Sequence, residues 1–127
     1  LKLRSAIFRL GLRYRVNARP IPGIRRSADV VFPRLLIAVF VDGCFWHGCP
    51  EHGTWPRANA DFWREKILQN RQRDRDTDRR LRRAGWAVIR VWEHEDMDSA
   101  AERVLRAVHQ RRVKIAMKAR AARRSTT

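Results

Sequence analysis

Both cysteines of the chain, two of its four histidines and two acids fall within the thirteen residues Phe40 to His52, F-V-D-G-C-F-W-H-G-C-P-E-H. Four residues separate Cys44 from Cys49, and two more separate Cys49 from His52. That is ligand spacing in a short turn, and zinc takes four such ligands tetrahedrally. The fourth ligand has to come from elsewhere, and His94, in V-W-E-H-E at the end of a strand-like run, is the expected one. The alternative is two buried thiols with surface histidines. Cysteines found nowhere else in the chain and standing beside two histidines favour zinc.

Two acids lie where acids need a reason. Asp29 opens the apolar run Asp29 to Phe32, and a second run, Leu35 to Val41, follows Pro33-Arg34, the pattern of a hairpin. Antiparallel pairing about that turn sets Asp29 opposite residues 38 to 40, beside Val41 and the start of the metal-like turn. Asp74 lies on a helical stripe, Ala60, Trp63, Ile67, Asn70, Asp74, Thr77, Leu81, Ala84, which is apolar at both ends and polar in the middle. A helix that turns Asp74 inward must offer it polar partners, because a lone buried carboxylate is costly. Against this, a strand-opening Asp can serve only as a cap, and D-R-D-T-D-R-R also reads as a solvated charge run.

These residues need a scaffold, and composition bounds it. A chain of 127 residues makes one domain with a modest core. Its 29 Lys and Arg against 13 Asp and Glu leave a net charge of +16, a field that attracts polyanions, nucleic acid foremost. No apolar run is long enough to span a membrane, and no secretory signal is expected. Cysteines beside histidines point to metal in a reducing cytoplasm rather than to a disulfide. The chain begins at Leu1 rather than Met, so residues upstream are expected to be missing.

In chain order, Leu3, Ala6, Ile7 and Leu10 predict a short helix closed by Gly11, and Leu12 to Val16 a first strand. Asn17 to Ser27 reads as a basic loop whose Arg25 and Arg26 are placed for phosphate contact. A long helix is expected from an Asn59 cap to Ala84, with Gly85 as its stop. Trp86 to Trp92 alternates as a strand that delivers Glu93 and His94. Asp98 or Ser99 is expected to cap a last helix bearing Ala101, Val104, Leu105 and Val108. Residues 1–110 then form the single domain, and 111–127 a basic tail, frayed helix or disordered. His109 reads as an ordinary surface residue.

G-L-R-Y-R-V, A-D-V-V-F-P, F-V-D-G-C-F-W-H-G-C-P, F-W-R-E-K-I-x-x-N-x-x-R-D and G-W-x-V-x-x-V-W-E, in that order over residues 3 to 95, resemble the very-short-patch repair endonucleases. These are bacterial enzymes that nick one DNA strand at T·G mismatches. The resemblance implies an α/β fold of restriction-endonuclease-like, PD-(D/E)xK type. Such a fold has a mixed central sheet flanked by helices, a structural zinc and Mg²⁺-dependent cleavage. It makes Asp29 a metal-binding carboxylate and Val41 the residue whose backbone carbonyl faces the same Mg²⁺. It makes His47 the histidine that works on the attacking water and Asp74 the carboxylate paired with it. Phe45, Trp46 and Trp63 become aromatics that wedge into the DNA stack beside the mismatch; core packing is the competing reading, strongest for Trp63. Cys44 matches a zinc ligand, while His94 stands where the family has a cysteine. Asp42 stands where some relatives have His, and the family's acidic residue ahead of the first helix is expected to fall outside residues 1–127.

The expectation is therefore a monomeric α/β endonuclease of double-stranded DNA, carrying catalytic Mg²⁺ and structural Zn²⁺. Two rivals are a nickase without mismatch preference on the same fold and a zinc-stabilised DNA-binding module without catalysis.

Overall fold

The computed structural model describes residues 2–43 and 60–125. Helix α1, Lys2–Arg9, buries Leu3, Ala6 and Ile7, which share one face at helical spacing. Leu10 lies past its end and is exposed. Gly11 takes φ +81°, the left-handed conformation that closes a helix, and donates to the Phe8 carbonyl at 2.9 Å. The first strand starts later than the alternation predicts, with β1 at Arg15–Ala18. Leu12 and Tyr14 are instead drawn into the core, and the Tyr14 hydroxyl donates to the Arg4 carbonyl at 2.7 Å.

Strands β2, Ala28–Phe32, and β3, Ile37–Asp42, form the expected hairpin, with Val30 opposite Val39 and Phe32 opposite Ile37. The turn takes residues 33–36, so Leu35 is turn rather than strand, and Leu36 adopts φ 57° to complete it. Helix α2, Ala60–Arg83, follows, and β4, Ala87–Trp92, returns parallel to β3 from Ile37 opposite Ala87 to Asp42 opposite Trp92. The sheet order is β1-β2-β3-β4, antiparallel except for the last pair. A parallel neighbour needs a crossover connection, and α2 lies within it.

Helix α2 ends as Gly85 predicts. Gly85 sits at φ +88° and donates to Arg82, while Trp86 donates back to Leu81 at 2.9 Å. These are the paired bonds of a Schellman motif, and Leu81 and Trp86 pack together beneath it. The expected Asn59 cap lies outside the described residues. Helix α3, Met97–Ser125, completes the described chain and continues well past Arg111, with residues 112–124 exposed.

Alternation divides the sheet into two faces. Val30, Phe32, Ile37, Val39 and Val91 face α1 and α3, where Ile7, Ala101, Val104 and Val108 cover them. Val31, Ala38 and Phe40 face Leu81 and Trp86 on the α2 side. Each fully buried aliphatic side chain contributes about 1.5–3 kcal/mol, and the central strands β2 and β3 supply such residues to both layers. Among the described residues, no helix is long and apolar enough to cross a membrane.

The cap of α3 is Asp96 rather than Asp98 or Ser99, since its carboxylate accepts from the Ser99 N–H at 3.2 Å and the Ser99 hydroxyl at 2.8 Å. These bonds from Ser99, hydroxyl first, hold the exposed Asp96 carboxyl below the usual carboxylate range. A depressed value means that the stabilisation is complete above the ordinary carboxyl value of about 4 and is lost as pH falls through the folded one. Asn still accepts the capping bond but does not titrate. The thermal midpoint of the parent should therefore exceed that of Asp96→Asn near neutrality, and the margin should narrow as pH falls below the ordinary carboxyl value of about 4. A margin independent of pH would show that the Asp96 charge contributes nothing to the cap.

Candidate active site

The pairing of β2 with β3 stops at Val30 opposite Val39, although both strands run on. Strand β2 continues beside β1 to Ala28, and β3 continues beside β4 to Asp42. The sheet forks there, and Asp29 stands in the fork. Its Oδ2 accepts the Val41 N–H at 2.7 Å, so a carboxylate takes the place of a backbone acceptor. In an extended strand the N–H and C=O of one residue point to the same edge, so the Val41 carbonyl faces the fork as well. The next carbonyl, that of Asp42, faces β4 and accepts from Glu93 at 3.0 Å. A carboxylate and a carbonyl at one opening are hard oxygen donors, the set that Mg²⁺ prefers.

Helix α2 brings its polar stripe to the same end of the sheet. Asp74 and Thr77 are buried between Ile67 and Leu81, and Thr77 spends its hydroxyl on the Arg73 carbonyl at 2.9 Å. Asp78 lies one turn from Asp74, an i,i+4 pair of like charges that disfavours a helix unless a cation intervenes. Arg90 of β4 is that cation. Its Nη2 reaches Asp78 Oδ1 at 2.6 Å and its Nε the same carboxylate at 3.1 Å. Its Nη1 reaches Asp42 Oδ1 at 3.0 Å, and Asp74 Oδ1 is 3.6 Å away. The guanidinium also lies 4.2 Å from the centre of the Phe40 ring, a cation–π contact. Arg26 approaches Asp74 Oδ1 from the basic loop at 3.3 Å. At these distances Asp74 Oδ1 is held by charge more than by close hydrogen bonds.

All three nitrogens of Arg90 are engaged, so its role is to hold acids together rather than to receive a phosphate. Burial alone would lower its pKa. The Asp78 hydrogen bond and the charges of Asp42, Asp78 and Asp74 outweigh that and raise it above an arginine's ordinary value. Beside this cluster is a cleft of about 390 Å³, lined by its acids together with Arg71, Arg75 and Trp92.

The structure brings Asp29 to Val41, and it gathers Asp74 with Asp42, Asp78, Arg26 and Arg90 at the neighbouring strand ends. Arg25 is exposed, whereas Arg26 turns inward to Asp74. Trp63 is half-buried, with its ring edge-on to Phe62 at 5.3 Å. His94 is exposed in the turn after β4. Cys44, Phe45, Trp46, His47, Cys49 and His52 lie outside the described residues. Among the described residues, no three His, Cys, Asp or Glu side chains form a metal-holding group. Sequence reasoning missed Arg90 and Asp78. The one signal available was an arginine at the centre of the otherwise apolar strand A-V-I-R-V-W.

A four-stranded mixed sheet with helices on both faces and acids at a strand fork fits the restriction-endonuclease-like α/β class. Residues 1–52 match the family model described as DNA mismatch endonuclease Vsr. Type II nicking enzyme V.NaeI of Lentzea aerocolonigenes is 46% identical over 109 residues, covering 84% of this chain and 66% of that protein. Type II nicking enzyme V.NmeDIP of Neisseria meningitidis serogroup C is 40% identical over 113 residues, 85% of this chain and 74% of that protein. The DNA mismatch endonuclease Vsr of Escherichia coli K12 is 36% identical over 96 residues, 72% of this chain and 58% of that protein. The chain belongs to the Vsr family of DNA endonucleases, and it spans about two thirds of the length of the curated relatives it matches.

Removing one side of a buried charge cluster strands the other, at about 3–5 kcal/mol in full burial and less here, where the Arg90 side chain keeps 20% exposure. Arg90→Met should therefore lower stability by about 2–3 kcal/mol, and Arg90→Lys by less, because the charge stays while the fork geometry is lost. Denaturant unfolding checks both. An Arg90→Met protein as stable as the parent would mean that these acids do not depend on the guanidinium.

Proposed function

We propose that this domain hydrolyses one phosphodiester of double-stranded DNA, leaving a nick, with a divalent cation held by Asp29 and the Val41 carbonyl. The observation that carries the reading is the forked sheet with the Asp29 carboxylate anchored on the Val41 N–H at 2.7 Å. An acid in that position needs a purpose in a protein of net charge +16 whose substrate is a polyanion. Mg²⁺ bound there would neutralise charge at phosphorus and stabilise the leaving oxygen. Asp29 binds and orients through Oδ1, since Oδ2 is committed to the backbone. His47, neutral and oriented by Asp74, takes the proton of the attacking water. Arg90 holds Asp74 in place by charge.

Mismatched duplex, T·G in particular, is the proposed substrate. The name of the Escherichia coli relative supports a mismatch, and the proposed wedge of Phe45, Trp46 and Trp63 fits one. A poorly paired step costs less to unstack than a matched step. The same cleavage without mismatch preference is the second reading, favoured by the relatives named simply as nicking enzymes. A binding module without catalysis accounts for the backbone bond of Asp29 Oδ2 but gives no use for its second oxygen beside the Val41 carbonyl. Zinc on Cys44, Cys49, His52 and His94 is the proposed structural metal, and it predicts about one zinc per purified chain and a Cys44→Ala protein that fails to fold.

Nicking of labelled matched and T·G duplexes, with Mg²⁺ and with chelator, tests the reading. Asp29→Ala should abolish nicking, and His47→Ala should slow it by about 10² or more, the usual worth of a general base. Both variants should still bind duplex. An Asp29→Ala protein that nicks as fast as the parent would overturn the assignment.

A further inference from the structure

The two ends of the sheet differ in charge. At the fork end, the arginines around the cleft are matched by Asp42, Asp74 and Asp78. At the other end, where β2 turns into β3, lies a cleft of about 540 Å³ lined by Arg13, Arg15, Arg34 and Arg112, with Tyr14 and Phe32 in its wall and no carboxylate among its lining residues. Its arginines come from three separate places, the stretch from the α1–β1 connection into β1, the β2–β3 turn and α3. All four are exposed.

The same end carries the second half of α3. Arg103 near the start of that helix bonds the Arg90 carbonyl at 3.3 Å, and Arg111 bonds the Gly85 carbonyl, ahead of β4, at 2.8 Å. Helix α3 therefore runs back along β4, and its exposed residues 112–124 belong to the turn end. From Arg111 to Thr127 the chain holds seven Lys or Arg and no acid. Like charges crowded around a concave surface repel one another, and a cleft concentrates their field toward a counter-charge.

We propose, on the DNA reading above, that this cleft and the adjoining helix bind the phosphate backbone of the duplex flanking the cleavage site. Strand β3 has the fork at one end and the turn at the other, and six residues at about 3.3 Å each set the two roughly 20 Å apart. At about 3.4 Å per base pair, the flank must extend roughly six base pairs beyond the nick on one side to reach the cleft. A single cleft serves a single side.

The experiment measures binding of the full chain to duplexes whose flanks are roughly five or fifteen base pairs long on either side of the cleavage step, on opposite sides of that roughly six-base-pair reach. Lengthening one flank should tighten binding about tenfold, and lengthening the other should not, because only one side brings further phosphates to the arginines. Arg13→Ala, Arg34→Ala and Arg112→Ala combined should remove that gain and leave kcat at saturating DNA unchanged. If the variant neutralises three fewer phosphates, the parent should weaken about 40-fold more than the variant between 50 and 200 mM salt. A variant that keeps both the flank gain and the salt slope overturns the proposal, as does equal loss on short duplexes or selective loss of binding to anionic vesicles. A parent that binds with the asymmetric gain but does not nick would refute the catalytic reading and leave this surface standing.

Discussion

One guanidinium joins the three elements that converge at the fork. Arg90 belongs to β4, Asp42 ends β3, and Asp74 and Asp78 belong to α2, so a single side chain ties two strands to the helix that crosses between them. Three carboxylates this close repel one another, and α2 could not otherwise turn Asp74 and Asp78 toward the sheet. The Phe40 ring, 4.2 Å from the guanidinium, adds a cation–π contact. The hydrophobic layers hold the sheet together, but the alignment of α2 at the fork end rests on this electrostatic contact.

The fork at Asp29 is possible because the sheet is mixed. Strand β3 is paired antiparallel on one side and parallel on the other, and it outlasts its antiparallel partner. The backbone groups exposed where β2 leaves must be satisfied, and the Asp29 carboxylate does this for the Val41 N–H. The same bond that completes the backbone accounting holds the carboxylate still. A preorganised oxygen of this kind is what a cation site requires.

Much of this was legible in the sequence. The apolar runs Asp29 to Phe32 and Leu35 to Val41 about Pro33-Arg34 gave the hairpin and its register, and with them Asp29 beside Val41. Helical spacing gave the inward stripe that carries Asp74. Arg90 was not legible, because its partners lie 12 and 48 residues away and nothing local marks a buried charge in a strand. Asp78 was hidden for a related reason, since one charged residue among many in D-R-D-T-D-R-R looks solvated until a tertiary partner selects it. The α3 cap falls two or three residues earlier than expected because Asp96, Asp98 and Ser99 all suit the position, and only the bonds to Ser99 decide among them.

Cation binding at Asp29 is the central claim, and titration of the protein with Mn²⁺, followed by water proton relaxation in the absence of DNA, tests it most directly. The parent should show a site that Mg²⁺ displaces, and Asp29→Asn, which keeps the size of the side chain but not its charge, should lose that site while keeping its circular dichroism spectrum. Equal Mn²⁺ binding by parent and Asp29→Asn would contradict the account, because the fork would then hold its acid only to complete the backbone.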